Sequence, residues 1–131
     1  MPAKASQLSR QPEPNVASWE TIRELALTLP EVDAAENKDG RPAFSVRGKG
    51  FAWRARERDG GGLAVRVDPD EKELILESKP TVYYDPPHYR GFPAVNIRVE
   101  EIGRMELRER IEDAWLIQAP KRLAAEFLSK S

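Results

Sequence analysis

The sequence predicts an α+β domain in which helices cover one face of an antiparallel four-stranded sheet, in the order α-βββ-α-β-αα. Three observations carry this. Residues 43–47, 51–58 and 63–67 alternate in character and are separated by Gly48-Lys49-Gly50 and by Asp59-Gly60-Gly61-Gly62, which are hairpin signals. Apolar residues recur at helical spacing on both sides of this region. A further alternating run at 93–99 sorts its side chains in the same way as the first three.

Residues 1–15 are polar, carry three prolines and lack periodicity, so they read as a disordered leader to a single domain at 16–131. Ser18 is an N-cap candidate, with Glu20 in the first turn where the helix dipole favours an acid. Trp19, Ile22, Leu25, Ala26 and Leu29 follow at helical spacing, and Pro30 ends the run. Residues 31–40, with Asn37 and Asp39-Gly40, read as a loop. After the three-stranded meander, Asp68-Pro69-Asp70-Glu71 has the form of a helix start, with Asp as cap and Pro at the first helical position. That helix carries Leu74, Ile75 and Leu76 and stops before Pro80. The stretch 78–91 is too rich in proline for a helix or central strand and holds all three tyrosines. Beyond the fourth strand, Gly103 precedes a long helix bearing Met105, Leu107, Ile111, Ala114 and Trp115, and Pro120 opens a last one with Leu123, Ala124, Phe127 and Leu128.

A chain of 131 residues is the size of one domain. It can bury roughly two-thirds of its unfolded surface without staples. Cysteine is absent, which fits a reducing compartment, and no apolar run has the length of a membrane span or a secretory signal; the expected address is the cytoplasm. The net charge of −1 argues against a wholly polybasic nucleic-acid binder, but the charge is uneven. Residues 41–66 hold seven Lys/Arg against two Asp/Glu, while the remainder is net acidic.

Parity sharpens this asymmetry. Phe44, Val46, Phe51, Trp53, Ala55, Leu63, Val65, Val67, Val95, Ile97 and Val99 share the apolar parity and are expected under the helices. The opposite parity places Arg47, Arg54, Arg56, Arg58, Arg66 and Arg98 on the outer face, with Lys49 in the adjoining hairpin. Arginine offers a planar donor fork that matches phosphate oxygens, which makes this face a candidate polyanion surface. A wet sheet face also needs polar residues of some kind, and this chain uses fourteen Arg to seven Lys.

Other chemistry is thin. One histidine, His88, in Pro86-Pro87-His88-Tyr89-Arg90, cannot build a His-based metal site, and without cysteine the usual zinc frameworks are excluded. Asp85 lies near it in sequence, yet no nucleophile motif accompanies the pair, and His88 reads as a locally hydrogen-bonded loop residue. The triple glycine at 60–62 lacks the Lys-Ser/Thr of a phosphate loop. Glu20 and Glu24, one helical turn apart, with Glu31, Asp33 and Glu36 soon after, are carboxylates of the kind that bind hard cations, but read as a solvated helix face with an adjoining polar loop. Tyr83, Tyr84 and Tyr89 serve either to pack the irregular loop or to stack on bases. No catalytic residue, metal or cofactor is assigned.

Several segments taken in order resemble the MmcQ/YjbR family: Leu27-Thr28-Leu29-Pro30-Glu31-Val32, then Pro42-Ala43-Phe44-Ser45-Val46-Arg47-Gly48-Lys49 with Phe51-Ala52-Trp53. Ser78-Lys79-Pro80, Tyr89-Arg90-Gly91-Phe92-Pro93-Ala94-Val95-Asn96-Ile97 and the tail from Asp113-Ala114-Trp115 to Ala119-Pro120-Lys121-Arg122-Leu123 continue it. It covers residues 18 to about 128. A tryptophan is more typical at Phe92, and a serine-aromatic pair at Ala114-Trp115. The resemblance implies a frataxin/CyaY-like α+β fold with hairpin wings. It also implies DNA binding of the double-wing kind, a label that rests on structural analogy, and it supplies no catalytic residues. The leading expectation is a DNA-binding domain making phosphate contacts through the arginine face. The alternatives are a protein-interaction module for an acidic partner and a small-molecule-binding protein centred on the tyrosine/His88 loop.

Overall fold

A computed structural model describes residues 17–130; the leader expected at 1–15 lies outside them. Helix α1 (Trp19–Leu27) starts as read from the sequence, with the Ser18 side chain accepting from the Thr21 amide. Six strands follow in one sheet: β1 (Val32–Glu36), β2 (Pro42–Val46), β3 (Lys49–Arg54), β4 (Leu63–Arg66), β5 (Tyr83–Tyr84) and β6 (Ala94–Ile97). Their order across the sheet is β1-β2-β3-β4-β6-β5, every pair antiparallel. Helix α2 (Lys72–Ser78) lies between β4 and β5, and α3 (Arg104–Gln118) and α4 (Lys121–Lys130) close the chain.

The α+β class and the antiparallel meander stand; the strand count does not. The 31–40 loop contains β1, which pairs along its whole length with β2 from Val32 opposite Val46 to Glu36 opposite Pro42. The proline-rich stretch contains β5, whose two residues pair with Asn96 and Ile97. The third strand also ends earlier than expected: Glu57–Asp59 form a 3-10 turn, and Gly60 follows with φ 99°. The start near Asp68 is a 3-10 turn (Pro69–Glu71) leading into α2, with the Asp68 side chain accepting from the Asp70 amide.

The core lies between the sheet and the layer formed by α1 and α3. Ile22, Leu25, Ala26 and Leu29 meet Leu107, Ile111, Ala114 and Trp115 over Phe44, Val46, Phe51, Leu63, Val65, Val95 and Ile97, all of them buried. The Trp115 indole is fully buried, donates to the Pro30 carbonyl and packs at 5.1 Å from the Phe127 ring. Among the described residues no helix is long and apolar enough to cross a membrane.

Tyr83 joins β5 to α3. Its hydroxyl donates to Glu106, which Lys79 also engages, and accepts from Arg110 Nε at 3.0 Å. Burial, reinforced by the Glu106 hydrogen bond, pushes the Tyr83 phenol up to about 12. A phenol that titrates higher in the folded state holds its proton longer there than in the unfolded chain, whose tyrosines titrate near ~10. Stability is therefore expected to fall as pH rises from about 10 to about 12. Chemical denaturation across that window checks this, and Tyr83→Phe should flatten the fall; an unchanged slope in that variant would assign it to other groups.

Candidate ligand cleft

The sheet face away from the helices is not the uniform arginine surface read from parity, and the cause is a bulge. Phe44 lies opposite Ala52, but Ser45 lies opposite Gly50, so Phe51 is an extra residue in β3. A bulge of this kind shifts the alternation of its strand by one. Phe51 and Ala52 are consequently both buried. Beyond them Trp53 sits in register with Ala43 and Ala64 on the outer face, and Arg54 with the core residue Leu63. Arg54 stacks on the Trp19 ring at 4.9 Å and donates to the Gly61 carbonyl. The expected places of Trp53 and Arg54 are thus exchanged, and Ala55 is buried without joining the hydrophobic core.

The seven expected phosphate ligands separate. Arg47 occupies the two-residue β2–β3 turn with φ 50° and makes a two-pronged ion pair with Glu31, whose carboxyl the Arg47 hydrogen bond holds below its usual value. Lys49 is opposite Val46 at the same hairpin end. Arg66 lies over the Phe92 ring at 5.2 Å, and Arg98 over Tyr84 at 4.3 Å at the other sheet edge, where it also donates to the Pro80 carbonyl. Only Arg56 and Arg58 come together, both exposed, in the turn after β3.

Those two arginines line a cleft of ≈ 920 Å³ on the outer face of β1–β3. Its floor is made of small residues, including Ala35, Ala43, Ser45 and Gly50. The β1–β2 hairpin forms one wall with Asn37, Lys38, Asp39 and Arg41. Arg41 is committed to structure: its Nε bonds both Asp39 oxygens and its Nη1 donates to the Arg54 carbonyl at 2.7 Å. The opposite wall is the segment after β5, with His88 lining the cleft and Tyr89 and Phe92 set against Trp53. The Trp53 indole donates to the Tyr89 hydroxyl at 2.9 Å, and Phe92 meets both rings edge to face.

Two polar anchors hold that wall. Lys72, buried in α2, donates to the Tyr89 and Phe92 carbonyls at 2.7 Å each and lies 3.0 Å from Asp85. His88 Nδ1 is 2.8 Å from Oδ1 of the buried Asp59. His88 was expected to hydrogen-bond locally; its partner is instead Asp59, 29 residues away across the fold, and the neighbouring Asp85 pairs with Lys72. Tyr84 donates to the Asp59 carbonyl. Asn96, on the same outer face, is fully buried, and neither of its amide atoms has a partner among the described residues. No cluster of three or more metal-ligating side chains occurs among the described residues.

Sequence reading missed Lys38 and Arg41 because their hairpin was taken for a loop, and missed Asp59 because it is 29 residues from His88. The Asp39-Gly40 pair was the available signal for that hairpin.

Fold and site together define an α+β domain with a six-stranded antiparallel sheet, helices on one face and an aromatic, cation-rimmed cleft on the other. The family model described as YjbR matches residues 27–117, and the chain belongs to that family. It is 33% identical over 132 residues to the uncharacterized proteins Mb2600 of Mycobacterium bovis and Rv2570 of Mycobacterium tuberculosis, covering 88% of this chain and 99% of each relative. The crystal structure of Deinococcus radiodurans protein DR2400, of family-model domain DUF419, matches with a TM-score of 0.66 and 18% identity over 80% of each chain. That likeness concerns the fold.

Proposed function

We propose that this domain binds nucleic acid, DNA being the first candidate, with Arg56 and Arg58 holding backbone phosphates at the cleft. One observation carries the reading: these two exposed arginines line one concave surface, with no ion pair to a carboxylate among the described residues. Arg47 is engaged by an acid, Arg54, Arg66 and Arg98 by aromatic rings, and Lys49 stands at the β2–β3 hairpin end outside the cleft lining, so the phosphate-binding role narrows from seven residues to two, with Lys38 on the facing wall. Guanidinium groups suit phosphate because their donors are planar and paired. Such contacts position a backbone without reading sequence.

Binding is expected to weaken with salt, with a log–log slope of about −0.9 per phosphate neutralised on duplex and about −0.7 on single strands. Replacing Arg56 and Arg58 together with alanine should flatten the slope by roughly 1.4 to 1.8 and lower affinity for all sequences alike. Folding should be little affected, since both side chains are exposed and neither makes a hydrogen bond, ion pair or ring contact among the described residues. Fluorescence anisotropy with labelled oligonucleotides between ~50 and ~200 mM salt measures both quantities. A folded double variant that binds like the parent would remove these arginines from the interface. Saturable binding of an acidic peptide, with no oligonucleotide binding at the low-salt end, would favour the acidic-partner reading.

A further inference from the structure

We infer that the cleft seats an unpaired base, so that the ligand is single-stranded nucleic acid and not duplex; this rests on the nucleic-acid reading above. Arg56 and Arg58 line the cleft as exposed side chains, whereas Trp53 and Tyr89, lining the same cleft, are half-buried and so set deeper in it. An aromatic wall of this kind recognises the flat face of a base. In a duplex those faces are covered by neighbouring base pairs, and only base edges reach the grooves. A paired strand could touch the exposed arginines, but it has no free face to bring to Trp53.

The volume and floor agree. About 920 Å³ falls within the usual range of small-ligand sites, roughly 300–1,000 Å³. Ala35, Ala43 and Gly50 keep the floor low beside the wall, leaving width for a ring. Polar edges are available as well: Asn37, Ser45 and His88 all line the cleft. The wall is also fixed before any ligand arrives. The Trp53–Tyr89 hydrogen bond, the two Lys72 bonds to the Tyr89 and Phe92 carbonyls and the His88–Asp59 contact each tie the segment to a different element. A platform already held in place avoids an ordering cost on binding.

The test uses the full chain and four labelled probes of equal length: oligo(dT), oligo(U), a dT·dA duplex and a mixed-sequence duplex, each titrated at ~50 mM salt. Both single strands should bind at least tenfold more tightly than either duplex. Trp53→Leu should lose about tenfold for single strands and less than twofold for duplex. Tyr89→Leu, placed in the connecting segment and outside the sheet, provides the same comparison should the Trp53 variant fold poorly. Preference for oligo(dT) over oligo(U), or the reverse, assigns the strand to DNA or RNA, and either supports the inference. Equal or tighter duplex binding, unaffected by both aromatic variants but lost on replacing Arg56 and Arg58, would overturn the base seat while leaving nucleic-acid binding in place. Absence of binding to all four probes would overturn both readings.

Discussion

Trp115→Ala is expected to cost about 3–5 kcal/mol of folding stability, the largest effect of any single truncation in this molecule. The indole is the largest fully buried side chain, positioned in α3 where it meets the sheet, α1 and the ring of Phe127. Its removal also strands the Pro30 carbonyl, which the indole N–H now satisfies at 3.0 Å. Domains of this size have total stabilities of roughly 5–15 kcal/mol, so the variant should lose a large fraction of its stability. Trp115→Phe keeps most of the apolar volume and loses the hydrogen bond, so it should cost clearly less. Urea unfolding followed by far-ultraviolet circular dichroism measures both, and a loss below about 1 kcal/mol for the alanine variant would contradict the packing of α3 described above.

The second large effect is expected at Gly62, just before β4. A Cβ there would stand 2.5 Å from the Ile97 carbonyl oxygen and 2.7 Å from the Tyr84 hydroxyl. The first of these is backbone in a paired strand and cannot rotate away. Gly62→Ala should therefore cost about 2–3 kcal/mol, at the upper end of the range for overpacking. Gly48→Ala is the control: φ is +83° there but the space around a Cβ is open, so only the left-handed backbone penalty of about 1–2 kcal/mol applies. Denaturant midpoints of the two variants separate steric from conformational cost. Equal losses would mean that β4 and β6 part more readily than their pairing suggests.

Much of the helix layer was legible in the sequence because its signals are local. The Ser18 cap, the Pro30 stop and the apolar spacing of Leu107, Ile111 and Trp115 are each fixed by residues a few positions apart, and all reappear in the structure. The two missed strands lack local signals. Val32–Glu36 reads Val-Asp-Ala-Ala-Glu, a poor strand former whose extended form depends on pairing with β2. Tyr83–Tyr84 is only two residues long and lies between prolines. The arginine face failed for a different reason. Alternation from Phe51 onward looks unbroken, and the register shift exists only relative to a partner strand, so no reading of β3 alone contains it. The cleft shares that dependence: His88 meets Asp59, and Tyr89 meets Trp53, across 29 and 36 residues.

The extra residue at Phe51 also decides what kind of chemistry the chain offers to solvent. With strict alternation, an indole would be sealed inside the protein and a guanidinium would project in its place, yielding a face that attracts anions by charge and little else. As built, Trp53 lines the outer cleft, and Arg54 rests against Trp19 on the helix side. A one-residue difference in strand length at this point would therefore exchange an outward indole for an outward guanidinium with no change in composition downstream. Under the proposed base seat, the spacing between the β2–β3 turn and the tryptophan should track ligand type among related chains better than the number of arginines does.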